Sequence, residues 1–339
     1  MLFSIVIPVY NVENYLEECM KSILCQIDKI QYDCEILLID DGSTDSSGKI
    51  CDLYLAKFPG FIKVYHKENQ GLLATRRYGF KRANGEYIIN CDSDDVLDAN
   101  MLIKLKNNII KYNRPDVILF NYNNMINDVK KIACNNIFSE YSDCIVDKKD
   151  VLEMYLTSHN VVSLCTKIYK KKCVDINKNY SPFYRVSNGE DTLQSMEIYN
   201  NAESFVYIND ELYNYRIGSG MTCKFDKNYY SGFKIVLEQI KVQKDKWNFI
   251  DFNNLFAVKV MQTVGRSITQ SRYNKWSSYK GQKFYLKTIR EDKLVHESFI
   301  FLNSIKGYLQ KDHYLLLVLF KYKLYLLLYI LLYIKNVID

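Results

Sequence analysis

Short apolar runs alternate with amphipathic segments along the first third of the chain. Runs with the length of buried strands occupy residues 3–9 (FSIVIPV), 35–40 (EILLID), 61–66 (FIKVYH), 86–91 (EYIINC) and 116–122 (DVILFNY). Between them, apolar residues recur at helical spacing over residues 12–27, 72–83 and about 98–112, and Ser43 or Thr44 is expected to cap a further helix that ends near Phe58. This alternation is typical of βαβ units, so the sequence predicts an α/β fold with a largely parallel sheet.

The pattern changes beyond residue 122. Residues 123–150 show no regular period, and residues 151–221 combine a helix with short extended pieces. From about residue 226 onward the pattern is helical. We therefore predict a first domain over residues 1–225 and a helical region over residues 226–339.

Polar residues are concentrated where the predicted strands end. Asn11 follows the first strand, Asp40 and Asp41 end the second, and residues 67–71 and 92–95 follow the third and fourth. Because ligands bind beyond the carboxyl ends of parallel strands, these segments are expected to form one binding site. Strand ends are commonly polar, but that tendency alone does not account for so many aspartates.

The segment after the fourth predicted strand places three carboxylates within four residues, those of Asp92, Asp94 and Asp95. Carboxylates this close repel one another unless a cation neutralises them. Oxygen ligands suit hard ions such as Mg²⁺ or Mn²⁺, which keep several waters and bridge substrate phosphates. The segment is therefore a candidate metal site, with an acidic helix-capping turn as the alternative.

A second acidic pair, Glu190 and Asp191, opens a helix that is predicted over residues 192–200. Acids are favoured at helix starts by the helix dipole, which is the structural explanation for the pair. The functional explanation is a carboxylate base that removes a proton from an attacking hydroxyl. On an earlier predicted helix, Arg76 and Arg77 are placed either to contact a phosphate or base edge or to face solvent.

Seven segments, taken in order, carry a resemblance to a known family. They are SIVIPVYNVENYLEECMKSILCQ (4–26), IDDGSTDSS (39–47), ENQGLLATRRYGFKRANGEYI (68–88), CDSDD (91–95), SLCTKIYKKKCV (163–174), NGEDT (188–192) and YNYRIGSGMT (213–222). In this order they resemble the inverting glycosyltransferases of family 2, which have the GT-A fold. The resemblance covers roughly residues 3–225, and its specificity comes from the order of several motifs rather than from any single one.

The resemblance implies a role for each matching residue. It assigns nucleotide-sugar binding to Pro8, Tyr10, Asn11, Asp41, Arg76, Asp92 and Ser93, with Asp41 at the base. It assigns metal binding to Asp94 and Asp95, catalysis to Asp191 as general base with Glu190 beside it, and closure over the diphosphate or acceptor to Ser219 and Thr222. Which of Asp92, Asp94 and Asp95 binds the ion stays open. The chain departs from the family beside the nucleotide loop, with Gln70 where Gly is frequent and Arg77 where Asn is frequent, which leaves the donor sugar open.

The implied activity is transfer of a hexose or N-acetylhexosamine from a UDP-sugar to a hydroxyl of a saccharide acceptor, with Mn²⁺ or Mg²⁺ at the diphosphate and inversion at the anomeric carbon. The resemblance also implies a lipid-linked acceptor and a place in bacterial capsule, lipopolysaccharide or exopolysaccharide synthesis. A non-catalytic nucleotide-sugar-binding scaffold of a glycan assembly complex is the alternative. A nucleotidyltransferase is disfavoured because the segment from Pro8 to Asn11 lacks the glycines of a phosphate-binding loop.

The last third of the chain is basic and ends in an apolar segment. Residues 222–339 carry 20 Lys and Arg against 9 Asp and Glu, whereas residues 1–221 carry 25 against 30. The segment 314–334 is long enough to span a bilayer, but Lys321 and Lys323 near its middle offset the apolar gain. A stripe of tyrosines at helical spacing predicts instead a helix at the membrane interface, flanked by these lysines; the stripe comprises Tyr322, Tyr325, Tyr329 and Tyr333. A helix packed on the domain core is the alternative.

These features predict a cytoplasmic enzyme that is held peripherally at the inner face of the cell membrane by its C-terminal helix. The ten cysteines contain no CxxC pair and the N-terminus lacks the basic segment of a signal peptide, which fits a reducing compartment. The basic region contains no recognisable nucleic-acid-binding module, so no nucleic-acid partner is expected.

Overall fold

The computed structural model describes residues 1–126, 129–134, 137–138, 142–184, 188–218, 226–273 and 279–338. The chain divides into two compact units. The first comprises Met1–Val151, Asn160–Arg185 and Glu190–Gly220, and the second comprises Leu152–His159, Val186–Gly189 and Met221–Asp339. The sheet belongs to the first unit, and the second is helical.

Within the described residues, ten strands form one mixed sheet. They are β1 (Phe3–Val9), β2 (Cys34–Asp40), β3 (Ile62–His66), β4 (Tyr87–Asn90), β5 (Val96–Leu97), β6 (Val117–Ile126), β7 (Val129–Cys134), β8 (Cys144–Val146), β9 (Lys167–Lys170) and β10 (Phe205–Arg216). The strand order is β3-β2-β1-β4-β9-β6-β10-β5, with β7 paired to β6 and β8 paired to β10. The first four strands in this order are mutually parallel, and antiparallel β9 joins β4 to β6. The predicted α/β fold is confirmed.

The helices follow one another along the chain in two groups. The first group is α1 (Leu16–Leu24), α2 (Ser47–Lys57), α3 (Leu72–Arg82), α4 (Met101–Lys111), α5 (Lys148–Thr157) and α6 (Glu190–Asn201). The second group is α7 (Tyr229–Lys241), α8 (Lys244–Trp247), α9 (Phe252–Gln270), α10 (Tyr279–Arg290), α11 (Lys293–Ser298), α12 (Lys311–Lys321) and α13 (Tyr325–Ile338). Every residue of β1 and β2 is buried, which explains why both strands are almost continuously apolar in sequence.

Parallel registration brings four loops to one edge of the sheet. Val9 at the end of β1 lies beside Asp40 at the end of β2, and Asp40 lies beside His66 at the end of β3. On the other side of β1, Val6 is paired with Asn90, the last residue of β4. The polar segments that follow these strands therefore leave the sheet together, as the sequence pattern predicts.

The prediction of irregular structure over residues 123–150 is wrong. Strand β6 continues to Ile126, and β7 and β8 both lie in this region. Among the described residues, strand β7 pairs with β6 alone and leaves Val129 and Ile132 exposed, at 58% and 62%. Lysines interrupt its apolar residues, as is common in strands at a sheet edge, and the buried-strand pattern is therefore absent.

The apolar C-terminal segment forms two helices instead of one. Helix α12 ends at Lys321 and α13 begins at Tyr325, and between them Lys323 adopts a φ of 61°. The break changes the rotation of everything after it, so the predicted tyrosine stripe is wrong: Tyr325 is buried, and the Tyr329 ring packs 5.5 Å from that of Tyr279. Lys321 does not flank an exposed stripe either, because its Nζ donates to the Phe299 carbonyl at 2.9 Å. No described helix combines the length and the apolarity needed to cross a bilayer.

Candidate active site

Two loops that follow neighbouring strands, β1 and β2, are joined through Asn11. Asn11 adopts a φ of 52°, which asparagine tolerates better than most residues. Its Oδ1 accepts a hydrogen bond from the Thr44 backbone N–H at 2.8 Å, and its own N–H donates to Ser43 Oγ at 3.2 Å. The prediction that Ser43 or Thr44 caps α2 is therefore wrong, because both residues contact Asn11 and the helix begins at Ser47.

The two other residues predicted to bind the nucleotide from β1 differ in accessibility. Pro8 is buried within the strand, where it pairs with Ile39. Tyr10, just beyond the strand, is 49% exposed. A ligand at this end of the sheet can therefore reach the Tyr10 ring, whereas Pro8 is covered.

Asp41 organises the loop after β3. Its Oδ1 accepts from the Gln70 N–H at 3.0 Å and its Oδ2 from the Gly71 N–H at 2.9 Å, and Lys67 Nζ also donates to Oδ1. Gly71 has a φ of 91°, and a side chain there would lie 2.9 Å from the Tyr184 carbonyl, so only glycine fits. The charge-assisted bonds of the buried Asp41 carboxylate thus fix the loop that leads into α3.

Arg76 joins the two acidic segments that the sequence singled out. It lies on α3 and is 1% exposed. Its Nη2 donates to Asp92 Oδ1 at 2.7 Å, and its Nη1 donates to Asp191 Oδ1, a residue 115 positions away in sequence. Burial lowers the pKa of Arg76, but the two carboxylates outweigh burial and hold that pKa well above its ordinary value. The structure therefore brings Arg76, Asp92 and Asp191 into one site.

The segment from Asp92 to Asp95 presents its carboxylates unequally. The side chain of Asp92 is 27% exposed and that of Asp94 is half-buried, but Asp95 and Ser93 are buried. Asp95 Oδ2 accepts from the Tyr213 hydroxyl at 2.6 Å, and its Oδ1 accepts from the Arg216 N–H at 2.7 Å. Burial, with the nearby Asp92 and Asp94, raises the pKa of Asp95 well above its usual range. Asp95 thus anchors the turn to β10.

The remaining oxygen donors suit one particular type of metal site. Among the described residues, no group of three or more His, Cys, Asp or Glu side chains is arranged to hold an ion. Mg²⁺ commonly takes only one or two carboxylates and completes its shell with waters and substrate phosphates. The carboxylates of Asp92 and Asp94 provide donors of that number and chemistry, so the residues present fit an ion bound together with a diphosphate.

The second acidic pair begins α6. The Asp191 side chain is 25% exposed, whereas Glu190 Oε2 is buried and has no hydrogen-bond partner among the described residues. Burial, followed by repulsion from Asp191, raises the pKa of Glu190 to about 7. Two adjacent carboxyl groups therefore differ in environment, with Asp191 held by Arg76 and Glu190 desolvated.

Lys167 is a further charged group that the sequence interpretation did not single out. This fully buried residue begins β9, and its Nζ donates to the carbonyls of Val162, at 3.3 Å, and Ser163. Burial lowers the pKa of Lys167 to about 7 despite the opposing attraction of Asp191. The signal that could have identified it is a lysine inside the otherwise apolar run LCTKIY, where a charge is unusual.

The interpretation that Arg77 lies beside the nucleotide loop is wrong. Its Nη1 donates to Glu197 Oε2 at 2.7 Å, and its guanidinium lies 4.5 Å from the centroid of the Tyr180 ring. Glu197 Oε2 also accepts from the Tyr180 hydroxyl at 2.8 Å. Arg77 thus belongs to a buried contact between α3 and α6, and the departure from Asn at this position gives no information on the donor. Ser219 and Thr222, predicted to close over the site, lie outside the described residues.

Comparisons with known proteins identify a family and several relatives of this chain. A family model described as Glycosyl transferase family 2 matches residues 4–173. The chain is 31% identical over 222 residues to the glycosyltransferase GlyA of Streptococcus pneumoniae, an alignment that covers 64% of this chain and 31% of that protein. It is 28% identical over 299 residues to a poly(ribitol-phosphate) beta-glucosyltransferase of Bacillus spizizenii, covering 86% of this chain and 43% of that protein. The chain thus spans less than half the length of either relative.

The crystal structure of S. aureus TarS 1-349 has a similar fold. Its TM-score is 0.64 at 20% sequence identity, and the match covers 99% of this chain and 89% of that one. At this identity the likeness concerns the fold alone. It confirms the predicted GT-A architecture with additional C-terminal helices.

Proposed function

The chain belongs to glycosyltransferase family 2, and on that basis we propose that it transfers a hexose or N-acetylhexosamine from a UDP-sugar to an acceptor hydroxyl, with inversion at the anomeric carbon. The observation that carries the proposal is the Arg76 bridge between Asp92 and Asp191. A nucleotide site alone does not require the second acidic segment. A transferase requires the nucleotide site and the second acidic segment together, because the general base must lie close to the anomeric carbon of the bound donor.

We assign Asp191 as the general base. A quarter of its side chain is exposed, so an acceptor hydroxyl can approach it, and Arg76 fixes its orientation through Oδ1. Asp191 removes the hydroxyl proton as the acceptor oxygen attacks the anomeric carbon opposite the diphosphate, which inverts the configuration. Glu190 lies beside this base, with its buried Oε2 lacking a described hydrogen-bond partner, and its raised pKa keeps it largely neutral below pH 7.

We propose that Asp94, with Asp92, holds Mn²⁺ or Mg²⁺ together with the donor diphosphate, and that Asp95 keeps the turn in place. When bound, such an ion neutralises charge on the departing diphosphate. The nucleotide is expected between Tyr10, Asn11 and the loop that Asp41 fixes, with Arg76 and the buried Ser93 supporting the turn beneath the ribose and diphosphate. Asp41 already accepts hydrogen bonds from the Gln70 and Gly71 N–H groups, so a hydrogen bond between Asp41 and the base is made in addition to these two.

The acceptor is proposed to be a lipid-linked saccharide or a polyol-phosphate polymer of the bacterial surface, as in capsule, lipopolysaccharide or teichoic acid synthesis. The support comes from the relatives: one acts on poly(ribitol phosphate) by its name, and TarS has been crystallised in complex with UDP-GlcNAc. We further propose that the enzyme works in the cytoplasm, peripherally at the membrane that carries such acceptors.

The decisive experiment measures nucleotide binding and nucleotide release from a panel of UDP-sugars, with Mn²⁺ or with chelator. We expect one UDP-sugar to bind and to release UDP in a metal-dependent way, faster when acceptor saccharides are added. If a UDP-sugar binds but no UDP is released with any acceptor, the alternative of a non-catalytic nucleotide-sugar-binding scaffold would be favoured over the enzyme. Absence of binding to every UDP-sugar would remove the proposed donor class altogether.

A further inference from the structure

Helix α13 is apolar on both of its sides. Its buried side chains, Tyr325, Leu328 and Leu332, occupy an arc of about 60° on a helical projection. On the opposite side, an arc of about 120° is exposed and contains no charged residue. Its members are Leu326, Leu327, Ile330, Tyr333 and Ile334, each between 43% and 63% exposed. An outward face of this composition is unusual for a helix that only packs on its own domain.

Helix α10 supplies a row of positive charge next to this face. Lys280, Lys283 and Lys287 are exposed and, with Phe284 at 75% exposure, share an arc of about 100°. The helix itself contains no acidic residue. One carboxylate beyond its end, that of Glu291, lies 3.5 Å from Lys287 Nζ, and both side chains are more than half exposed. One carboxylate against three lysines leaves the row cationic.

The two helices pack directly on each other within the second unit. The rings of Tyr279 on α10 and Tyr329 on α13 lie 5.5 Å apart, nearly perpendicular. On helical projections, Tyr279 lies about 40° from Lys283, and Tyr329 lies about 40° from Tyr333. The lysine row and the apolar arc therefore border the same contact between the two helices. We call the exposed arc of α13 and the three lysines of α10 the α10–α13 surface.

We propose that the α10–α13 surface binds anionic lipid headgroups, with α13 lying in the plane of the membrane interface. The leucine and isoleucine side chains of α13 then enter the acyl boundary while the α10 lysines contact phosphates. A bilayer is favoured over a second copy of the chain because a two-fold interface on this surface would bring the same lysine rows together. This surface gives the proposed peripheral location a physical basis, and it replaces the tyrosine stripe predicted from sequence.

The test is sedimentation of the full chain with vesicles of pure phosphatidylcholine and of phosphatidylcholine with phosphatidylglycerol. We expect binding to the anionic vesicles that weakens with salt. Replacing Lys280, Lys283 and Lys287 by Gln is expected to weaken it about 100-fold, roughly fivefold for each lysine. The L327Q/I330Q double variant is expected to bind the vesicles at least about 10-fold more weakly, because the two glutamines replace the apolar side chains that enter the acyl boundary.

The matched control is L315Q, which introduces the same polarity at a leucine of α12 that is 51% exposed but outside the surface. Circular dichroism and thermal unfolding establish that each variant is folded. The proposal is overturned if the wild type does not bind anionic vesicles, or if L327Q/I330Q binds them as well as L315Q does. A dimer that L327Q/I330Q dissociates would instead assign the surface to a second copy of the chain. Nucleotide release is measured on the same samples, so a failure of lipid binding is distinguished from a failure of the proposed transfer reaction.

Discussion

The sheet edge around Arg76 and the outer face of α13 break the usual distribution of side chains in opposite ways. At the sheet edge, Arg76 is buried and contacts two carboxylates. On α13, leucine and isoleucine side chains are exposed without a described cover. In a typical domain charges lie outside and large apolar residues inside, so both regions are informative.

The difference teaches what kind of partner each region requires. Buried charges that pair with one another are costly to assemble and gain little stability over apolar packing, so their presence favours a chemical role. Exposed apolar residues in a contiguous arc contribute no stabilisation until another surface buries them. The first region is thus suited to a small charged ligand, and the second to an extended apolar one.

The largest expected effect is on the reaction itself. The D191N variant keeps the hydrogen bond to Arg76 through its amide oxygen but cannot accept a proton, so we expect transfer to fall by roughly 10² to 10⁴-fold. UDP-sugar binding, measured by calorimetry, is expected to change little. The control is D210N, the same substitution at a residue of the first unit whose side chain is 39% exposed and paired with Lys104. Turnover by D191N close to that of D210N would remove Asp191 as the base.

The next effect concerns the stability of the Arg76 bridge. R76M removes the cation and leaves Asp92 and Asp191 without it, which we expect to lower the free energy of unfolding by about 3 to 5 kcal/mol. Urea denaturation measures this change. R82M, on the same helix, removes an arginine that stacks on Tyr78 at 3.3 Å, and its effect is expected to be much smaller. Equal losses in both variants would mean that the Arg76 bridge stabilises the folded protein no more than Arg82 does.

Glu190 predicts a pH dependence of stability. Its pKa is raised to about 7, against roughly 4.3 in an unfolded chain, so the folded state binds the proton more tightly. The stability conferred by that proton is fully present at pH values below the pKa of the unfolded chain, and it is lost as the pH rises through the pKa of the folded state. The advantage of E190Q over the wild type should therefore grow between pH 5 and pH 8, by at most about 3 kcal/mol.

Denaturation at several pH values provides the measurement. The control is E203Q, the same substitution at a side chain that is 77% exposed. A constant difference between E190Q and the wild type across this range would show that Glu190 is not desolvated in the folded protein.

The parallel half of the sheet was predictable from sequence because burial on both faces leaves a continuous apolar run. Strands β1 and β2 match their predicted bounds to within one residue for this reason. The edge strand β7 was not predictable in this way, because its exposed residues follow no burial pattern. The acidic segments were visible in sequence, but the Arg76 bridge was not, since it joins residues separated by 115 positions.

Other site features depend on contacts that sequence does not encode locally. Asp94 and Asp95 are chemically identical neighbours, but Tyr213 and Arg216 of β10 donate hydrogen bonds to the carboxylate of Asp95. Arg77 follows Arg76 directly, yet it points to Glu197 because successive helical residues are about 100° apart. Resemblance to a family finds such positions but does not distinguish the side chain that faces the ligand from the one that supports it.

The smallest predicted effect tests what sets the exposed face of α13. Lys323, at a φ of 61°, occupies a conformation that costs a non-glycine residue about 1 kcal/mol or more. We therefore expect K323G to raise the free energy of unfolding by up to about 1 kcal/mol, since glycine accepts this backbone without strain. K321G, two positions earlier, is the matched control and is expected to destabilise by at least a similar amount, because it places glycine in α12 and removes the bond to the Phe299 carbonyl. Changes of opposite sign in the free energy of unfolding of K323G and K321G would confirm that the helix breaks at Lys323. They would also support the rotation of α13 that exposes Leu327 and Ile330. If both variants were destabilised alike, α12 and α13 would instead run on as one helix, and the apolar arc would lose its structural basis.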